Sequence, residues 1–331
     1  MEVSVVSAST SDVNVVWVHN TPREGRMFLW DLLDAFSFRV RVDAMQMPLR
    51  PNIMSVRDFI YSLRKHARSA DLVHAQFGSL VGLVASFGRS SFVLSLRGTD
   101  FYVLPTRTVL RSIEARVRQF FTLVACWRAD LVIVMSERMK RELRRWPFLK
   151  NKRIIVIVDP VGTEFLTDDR ERRAALDFQV SRPFNIFIGS LAPDNPIKRT
   201  WLIQGAVDIC RRAGLPVNLR VVSGVPRDQV REAMMQSDLM ALTSTHEGWP
   251  NVIKEGLALG LPFIATDVSD LADHCHAGST NRIVEPNELA IALSIVDAIA
   301  QRDIGGSRAS ILPSVVAKKH EVVYAFMANA L

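Results

Sequence analysis

Residues 244–267 read STHEGWPNVIKEGLALGLPFIATD, and two glutamates in that stretch, Glu247 and Glu255, have seven residues between them. The run Leu239–Thr243 ahead of it is apolar and reads as a strand, so Ser244–Trp249 is the loop at its carboxyl end. Val252–Leu259 spaces its apolar residues as a helix does, and Phe263–Ala265 reads as the next strand. A strand, loop, helix and strand in this order make one unit of a parallel sheet. Pro250 suits the first helical turn, where its missing N–H would have had no partner anyway. The N–H groups of Asn251, Val252 and Ile253 are then expected to face an anion beyond the strand end. Glu247, in the loop, reaches a polar group beside that anion. Glu255, one turn along the helix, accepts hydrogen bonds from a diol such as a ribose. Two carboxylates flanking a phosphate-binding helix end describe a nucleotide-sugar pocket. A capped helix with one surface glutamate has the same spacing, so spacing alone leaves both readings open.

The same alternation runs outward in both directions. After this stretch come helical patterns near Glu288–Ala300 and Ser314–Leu331. Before it lie a strand at Phe184–Ile188, a helix at Thr200–Ala213, a strand at Val217–Val222 and a helix at Arg227–Gln236. Turn chemistry at Asp159-Pro160-Val161-Gly162 and the charged run Asp168–Arg173 mark a break. Ahead of the break, Val13–Val18, Leu72–His74, Phe92–Leu96, Leu131–Met135 and Ile154–Val158 read as strands. Helical stretches around Met27–Phe36, Val56–Ser69, Thr106–Arg128 and Glu137–Arg145 separate them. The economical architecture is α/β: two doubly wound, Rossmann-like domains facing a cleft, over residues 1–160 and 161–314. A terminal helix near 315–331 is expected to pack back on the first. Ligands of such sheets sit beyond the carboxyl ends of the strands.

The chain has 331 residues, which suits two domains of about 150, and 48% of them are apolar, enough for two cores. No run approaches the ~18 apolar residues of a membrane-spanning helix, and the start MEVSVVSAST lacks the basic region and apolar core of a signal peptide. Cys126, Cys210 and Cys275 fit neither a disulfide framework nor a CxxC metal site, so a reducing cytoplasm is expected. Charge is uneven. Residues 1–170 carry 25 Lys or Arg against 17 Asp or Glu, whereas residues 171–331 carry 16 against 17. The first half should therefore face something anionic.

Within the second half, Lys198 and Arg199 stand between the strand Asn185–Ile188 and an apolar helix, where a cation would meet a diphosphate held near Asn251. A solvated Lys-Arg pair at a helix start is the plainer alternative. The string VVSGVPRDQVREAMMQSDLMALTSTHEGWPNVIKEGLALGLPFIATDVSD, with Glu247 and Glu255 as its E-x7-E motif, resembles the retaining glycosyltransferases of family 4, which have the GT-B fold. DLVHAQFGSLVGLVASFGRSSFVLSLRGTDF, RADLVIVMSERMKREL and IVIVDPVGTEFL are similar to other segments of that family, more loosely, and the resemblance covers nearly the whole chain. It implies transfer of a sugar from a nucleotide-diphosphate donor with retention and without a metal or other cofactor. It also implies that Glu247 contacts hydroxyls of the donor sugar and that Glu255 holds the ribose. Lys198 would bind the diphosphate, with Gly189 and the backbone of Gly248, Pro250, Asn251 and Val252 completing the donor site. Charge building on the leaving diphosphate would be stabilised by Lys198 and the helix start.

The sequence departs from the family pattern at three places. Gly189-Ser190 stands where an arginine often follows the glycine, so Arg199 becomes the substitute phosphate cation. Arg97-Gly98-Thr99-Asp100 replaces a His-Gly-x-Asp pattern, and Arg97 could itself face a phosphate or sugar. Glu24-Gly25 replaces a Gly-Gly loop. Gly25, His74, Arg97 and Asp100 are thus the candidates for the acceptor side, with His19 and Asn20 beside them. For His74 a core position is the simpler account, and for His19 and Asn20 a loop turn is an equally good one. Asp273-His274-Cys275-His276 holds four potential ligands in a row, a spacing that does not converge on one metal ion.

Ser136–Arg153 holds eight Lys or Arg around Trp146, Phe148 and Leu149, and Thr106–Arg128 adds five arginines around Phe120, Phe121 and Trp127. Cations interleaved with aromatics suit an anionic membrane surface. This fits an enzyme at the cytoplasmic face whose acceptor is a glycan or a polyprenyl-linked sugar, in surface polysaccharide or glycolipid synthesis. A solvated helix face is the alternative. Two other functions compete: a GT-B protein that binds a nucleotide sugar without transferring it, and a basic nucleic-acid-binding protein. The latter lacks any helix-turn-helix, zinc-finger or RNP pattern, so no nucleic-acid partner is expected.

Overall fold

The structure is a computed structural model that describes residues 13–21, 28–35, 40–88, 91–98, 100–103, 109–166, 182–190, 194–276 and 279–304. Contacts within the chain divide it into residues 1–160 and 161–331.

The first unit runs β1 (Val13–His19), α1 (Phe28–Asp34), β2 (Val40–Gln46), α2 (Ile53–His66), β3 (Leu72–Ala75), α3 (Ser79–Ala85), β4 (Ser91–Leu96), α4 (Val109–Arg128), β5 (Leu131–Val134), α5 (Glu137–Leu143) and β6 (Ile154–Val156). Its strands pair in parallel in the order β2-β1-β3-β4-β5-β6. The nearly continuous apolar run of β1 is buried from Val15 to His19, as a strand covered on both faces must be. β2 was not expected from the sequence. Its residues VRVDAMQ are largely exposed at the sheet edge, and an edge strand does not need an apolar run. α3 was also not expected. It is short and mostly apolar, so its periodicity does not separate it from a buried strand. α2 starts at Ile53, ahead of the apolar pattern around Val56, because Asn52 and Ser55 form a capping box.

The second unit runs β7 (Phe184–Gly189), α6 (Thr200–Arg212), β8 (Val217–Val222), α7 (Arg227–Met235), β9 (Leu239–Leu242), α8 (Asn251–Ala258), β10 (Phe263–Ala265), β11 (Arg282–Ile283) and α9 (Glu288–Ile304). The sheet order is β11-β10-β9-β7-β8, again parallel. Alternation along β7 sends Phe184, Ile186 and Ile188 into one core with α6 and α9, and Phe187 into a second core on the opposite face. That second core holds Met234 of α7 and Ile253 of α8. Helices on both faces bury the sheet and leave its strand ends as the place where loops gather. The helix expected near 315–331, its packing on the first unit, and the run Asp168–Arg173 lie outside the described residues.

Candidate active site

The loops at the carboxyl ends of β7, β9 and β10 are tied to one another by hydrogen bonds. The Thr243 hydroxyl donates to the carbonyls of Lys198 (2.7 Å) and Arg199 (3.0 Å), and the Thr245 N–H donates to the carbonyl of Ile197 (2.8 Å). Arg199 answers with its side chain: Nε donates to the Thr243 carbonyl (2.8 Å) and Nη2 to that of Ser244 (3.0 Å). From the β10 side, Thr266 Oγ1 donates to the Ser244 carbonyl (2.6 Å) and Ser269 Oγ to the Gly248 carbonyl (2.5 Å). Arg199 itself adopts a left-handed backbone, φ 46° and ψ 40°, which costs a non-glycine residue roughly 1 kcal/mol. The expectation that Arg199 supplies a second phosphate cation is therefore revised. Two of its three guanidinium nitrogens hold backbone carbonyls, and the residue acts as a clamp between the two loops.

That clamp positions its neighbour. Lys198 Nζ lies 2.6 Å from Glu247 Oε1, and the Ser244 hydroxyl donates to the same oxygen at 2.7 Å. Both ionic side chains are half-buried, so the charge-assisted bond is only partly screened by solvent. The two residues first read as sugar contact and diphosphate cation thus form one ion pair.

α8 begins beside it. Pro250 precedes the helix with extended backbone. The helix start differs from expectation in one respect: the Ile253 N–H donates to the Pro250 carbonyl (3.1 Å) in a tight first turn. Asn251 and Val252 are left as the donors that face outward, because the first N–H groups of a helix have no intrahelical partner. Gly189, at the end of β7, lies against this start. A β-carbon there would be 3.0 Å from Val252 Cγ2 and 2.9 Å from Phe187 Cε1. Trp249, in the turn, packs edge-on against His274, with ring centroids 5.5 Å apart.

Glu255 has a cation of its own that sequence reading missed. Arg227 Nη2 is 3.9 Å from Glu255 Oε1, while its Nε is 2.8 Å from Glu164 Oε1, and its guanidinium lies over the Phe165 ring. The available signal was position: Arg227 opens a helix at the carboxyl end of β8, after Gly224-Val225-Pro226. Ser244 was missed as well, hidden as one polar residue in a polar loop.

Among the first unit's candidates, Arg97, Asp100 and His74 all have partners within the fold. Arg97 forms a buried ion pair with Asp159 (Nε to Oδ2, 2.9 Å), donates to both the backbone and side-chain oxygens of Gln76, and lies over the Phe77 ring. Its cation is spent inside the fold. The Asp100 carboxylate accepts from the N–H groups of Gly78 (2.8 Å), Gly98 (3.0 Å) and Arg97 (3.2 Å), pinning a turn that only a residue tolerating φ 112°, here Gly98, completes. Burial still pushes its carboxyl upward, against those bonds. His74 pairs its Nε2 with the Ser95 hydroxyl at 2.8 Å and packs edge-on to Trp17. Burial, then the nearby Arg97 charge, lowers its pKa to about 3. It is a partly buried histidine held neutral. His19 is buried, with Nδ1 accepting from the Thr21 N–H. Gly25 lies outside the described residues. Among the described residues no group of three His, Cys, Asp or Glu is gathered for a metal ion, Asp273–His276 included.

Fold and site together define a pair of doubly wound α/β units. The second carries two glutamate–cation pairs around one helix start at the strand ends. Comparison with known proteins agrees. The description "Glycosyltransferase Family 4" matches residues 4–165, and "Glycosyl transferases group 1" matches residues 186–301. TuaC of Bacillus subtilis, named provisionally as a teichuronic acid biosynthesis glycosyltransferase, is 25% identical over 223 residues, covering 61% of this chain and 54% of that protein. An uncharacterized glycosyltransferase of Methanocaldococcus jannaschii is 25% identical over 239 residues, covering 66% and 62%. The chain therefore matches only 54–62% of the length of these curated relatives. HepE of Anabaena, solved with UDP and glucose, superposes with a TM-score of 0.61 at 17% identity over 95% of this chain and 99% of that one. Sucrose-phosphate synthase from Thermosynechococcus elongatus superposes at 0.60 and 14% identity over 97% and 100%. These likenesses establish the GT-B fold. The chain belongs to the glycosyltransferases of family 4.

Proposed function

We propose that the chain transfers a sugar from a nucleoside-diphosphate donor to a glycan or lipid-linked acceptor, with retention at the anomeric carbon. The observation that carries the reading is the Lys198–Glu247 pair, 2.6 Å apart and fixed by Ser244 and the Arg199 clamp at the start of α8. The HepE complexes with UDP and UDP-glucose support a nucleotide-sugar donor, and the name of TuaC supports a role in polysaccharide synthesis. Lys198 and the N–H groups of Asn251 and Val252 meet the diphosphate, where charge grows as the bond from the sugar C1 to the phosphate oxygen breaks. Glu247 holds donor-sugar hydroxyls, and Glu255, oriented by Arg227, holds the ribose diol. The acceptor oxygen bonds to C1 on the face the diphosphate leaves, and its proton passes to a diphosphate oxygen. No metal ion has a role in these steps.

A thermal-shift titration with UDP, GDP, ADP and TDP, without added metal, tests the pocket. One base at ~100 times its dissociation constant should add about 2.7 kcal/mol of stability. No shift with any of them would overturn the reading. Binding of a nucleotide sugar without transfer is the second reading, favoured by Ser190 after Gly189 and by the Arg199 guanidinium being held by carbonyls. Release of nucleotide from a donor sugar in the presence of acceptor separates the two.

A further inference from the structure

Helix α4 has two unlike faces. Ala115, Thr122, Leu123, Ala125 and Cys126 are buried against the first unit. On the other side Val109, Ile113, Val117, Phe120 and Trp127 recur at steps of three, four or seven, so they form one continuous apolar stripe. Their exposure runs from 44% at Val117 to 78% at Val109. Arg116 borders the stripe on one side; on the other the exposed Glu114 comes first, and Arg118 and Arg111, also exposed, lie further round the helix. At the carboxyl end of the helix, Lys152 donates to the carbonyls of Trp127 and Ala129. That bond brings in the turn Pro147–Leu149 with Phe148, which is exposed, and its flanking Arg144, Arg145 and Lys150. Residues 109–153 carry twelve Lys or Arg against four Asp or Glu.

The fold does not require this stripe, since the buried face of α4 already serves the core. A contiguous exposed apolar surface rimmed by charge marks a contact site. Charge decides the occupant. A second copy of this chain docked symmetrically would set these cations against one another. A nucleic acid would use the cations but not a row of Val and Ile. An anionic bilayer uses both, with apolar side chains entering the acyl boundary while arginines stay among the headgroups. We propose that the outward face of α4, together with the Pro147–Leu149 turn, docks the chain on an anionic lipid bilayer. No described helix is long and apolar enough to cross a membrane, so the contact is interfacial. The proposal rests for its purpose on the lipid-linked acceptor reading, since such an acceptor is met at the bilayer, but its test uses neither donor nor acceptor.

The experiment is co-sedimentation of the full chain with vesicles of phosphatidylglycerol and phosphatidylcholine, against phosphatidylcholine alone, at low and high salt. Binding is expected to the anionic vesicles only and to weaken with salt. Phe120→Ser with Trp127→Ser should reduce partition more than tenfold, by removing the two largest rings of the stripe. Arg144→Glu with Arg145→Glu should reduce it by at least ~25-fold, from roughly fivefold per basic residue near the surface. Both variants should keep the nucleotide-dependent thermal shift. Equal partition of parent and variants, absence of anionic preference, or a concentration-dependent dimer that the Phe120/Trp127 variant breaks would each overturn the proposal. So would binding to DNA at physiological salt by a protein that ignores the vesicles. Vesicle binding without any nucleotide shift would leave the docking face standing and overturn the transfer reading alone.

Discussion

Glu247 and Glu255 share one motif, and each is paired with a different cation, Lys198 for the first and Arg227 for the second. Their losses should therefore read differently. In the proposed mechanism, Lys198→Ala removes the charge that meets the leaving diphosphate. Turnover is expected to fall about 10²–10³-fold, as when a fixed donor to a developing anion is lost. On the same proposal, Glu255→Ala removes a charged acceptor from the ribose, and nucleotide affinity should weaken roughly tenfold or more with the thermal midpoint nearly unchanged. Initial rates and calorimetric titration of both variants check the pair. Full turnover in the lysine variant would remove Lys198 from the mechanism, and unchanged affinity in the glutamate variant would remove the ribose role. The nearness of Glu247 and Glu255 to one helix start is legible in the sequence because the E-x7-E motif fixes their local spacing, whereas Lys198, 49 residues from Glu247, is marked only by its place between a strand and a helix. Arg227 was not legible, because its partners Glu164 and Glu255 are brought to it by the sheet. Arg97 was misread for the same reason: its partner Asp159 is distant in sequence, and a permanent cation after a strand looks exposed until that partner is seen.

At the scale of elements, the site depends on how closely α8 approaches the end of β7. Gly189 sets that distance, with no side chain between the strand end and Val252. Gly189→Val would place carbon against both Phe187 and Val252, and overpacking of this kind costs about 1–3 kcal/mol. A lower thermal midpoint and weaker nucleotide binding are expected together, with Gly189→Ala intermediate. A valine variant that binds nucleotide like the parent would show that the helix start can shift without affecting the anion site. Elements with long apolar runs, such as β1, β7 and β9, were readable in advance. β2, α3 and β11 were not, since two are short and β2 is a polar edge whose identity comes from the strand it pairs with.

For the molecule as a whole, acid sensitivity is built into the first unit. His74 is held near pKa 3, against 6.5 in the unfolded chain. As pH falls below 6.5 the unfolded chain binds this proton and the folded chain does not. Stability is therefore lost from pH 6.5 down towards 3, by at most ~1.4 kcal/mol per pH unit from this group. Asp100 acts in the opposite direction: its raised pKa favours the fold in acid, and that contribution fades as pH rises through the folded value. Urea midpoints at pH 7 and pH 5 should fall further for the parent than for His74→Gln, which keeps a partner for Ser95 but does not titrate. Equal falls would show that His74 is not buried neutral.

The division at Pro160 and Val161 puts each sheet in a compact unit of its own. The residues proposed for the donor lie after it, and the cationic apolar stripe lies before it. A lineage could therefore exchange or rework one half by recombination while inheriting the other intact. Two separate family descriptions, one over residues 4–165 and one over residues 186–301, match the two halves in turn.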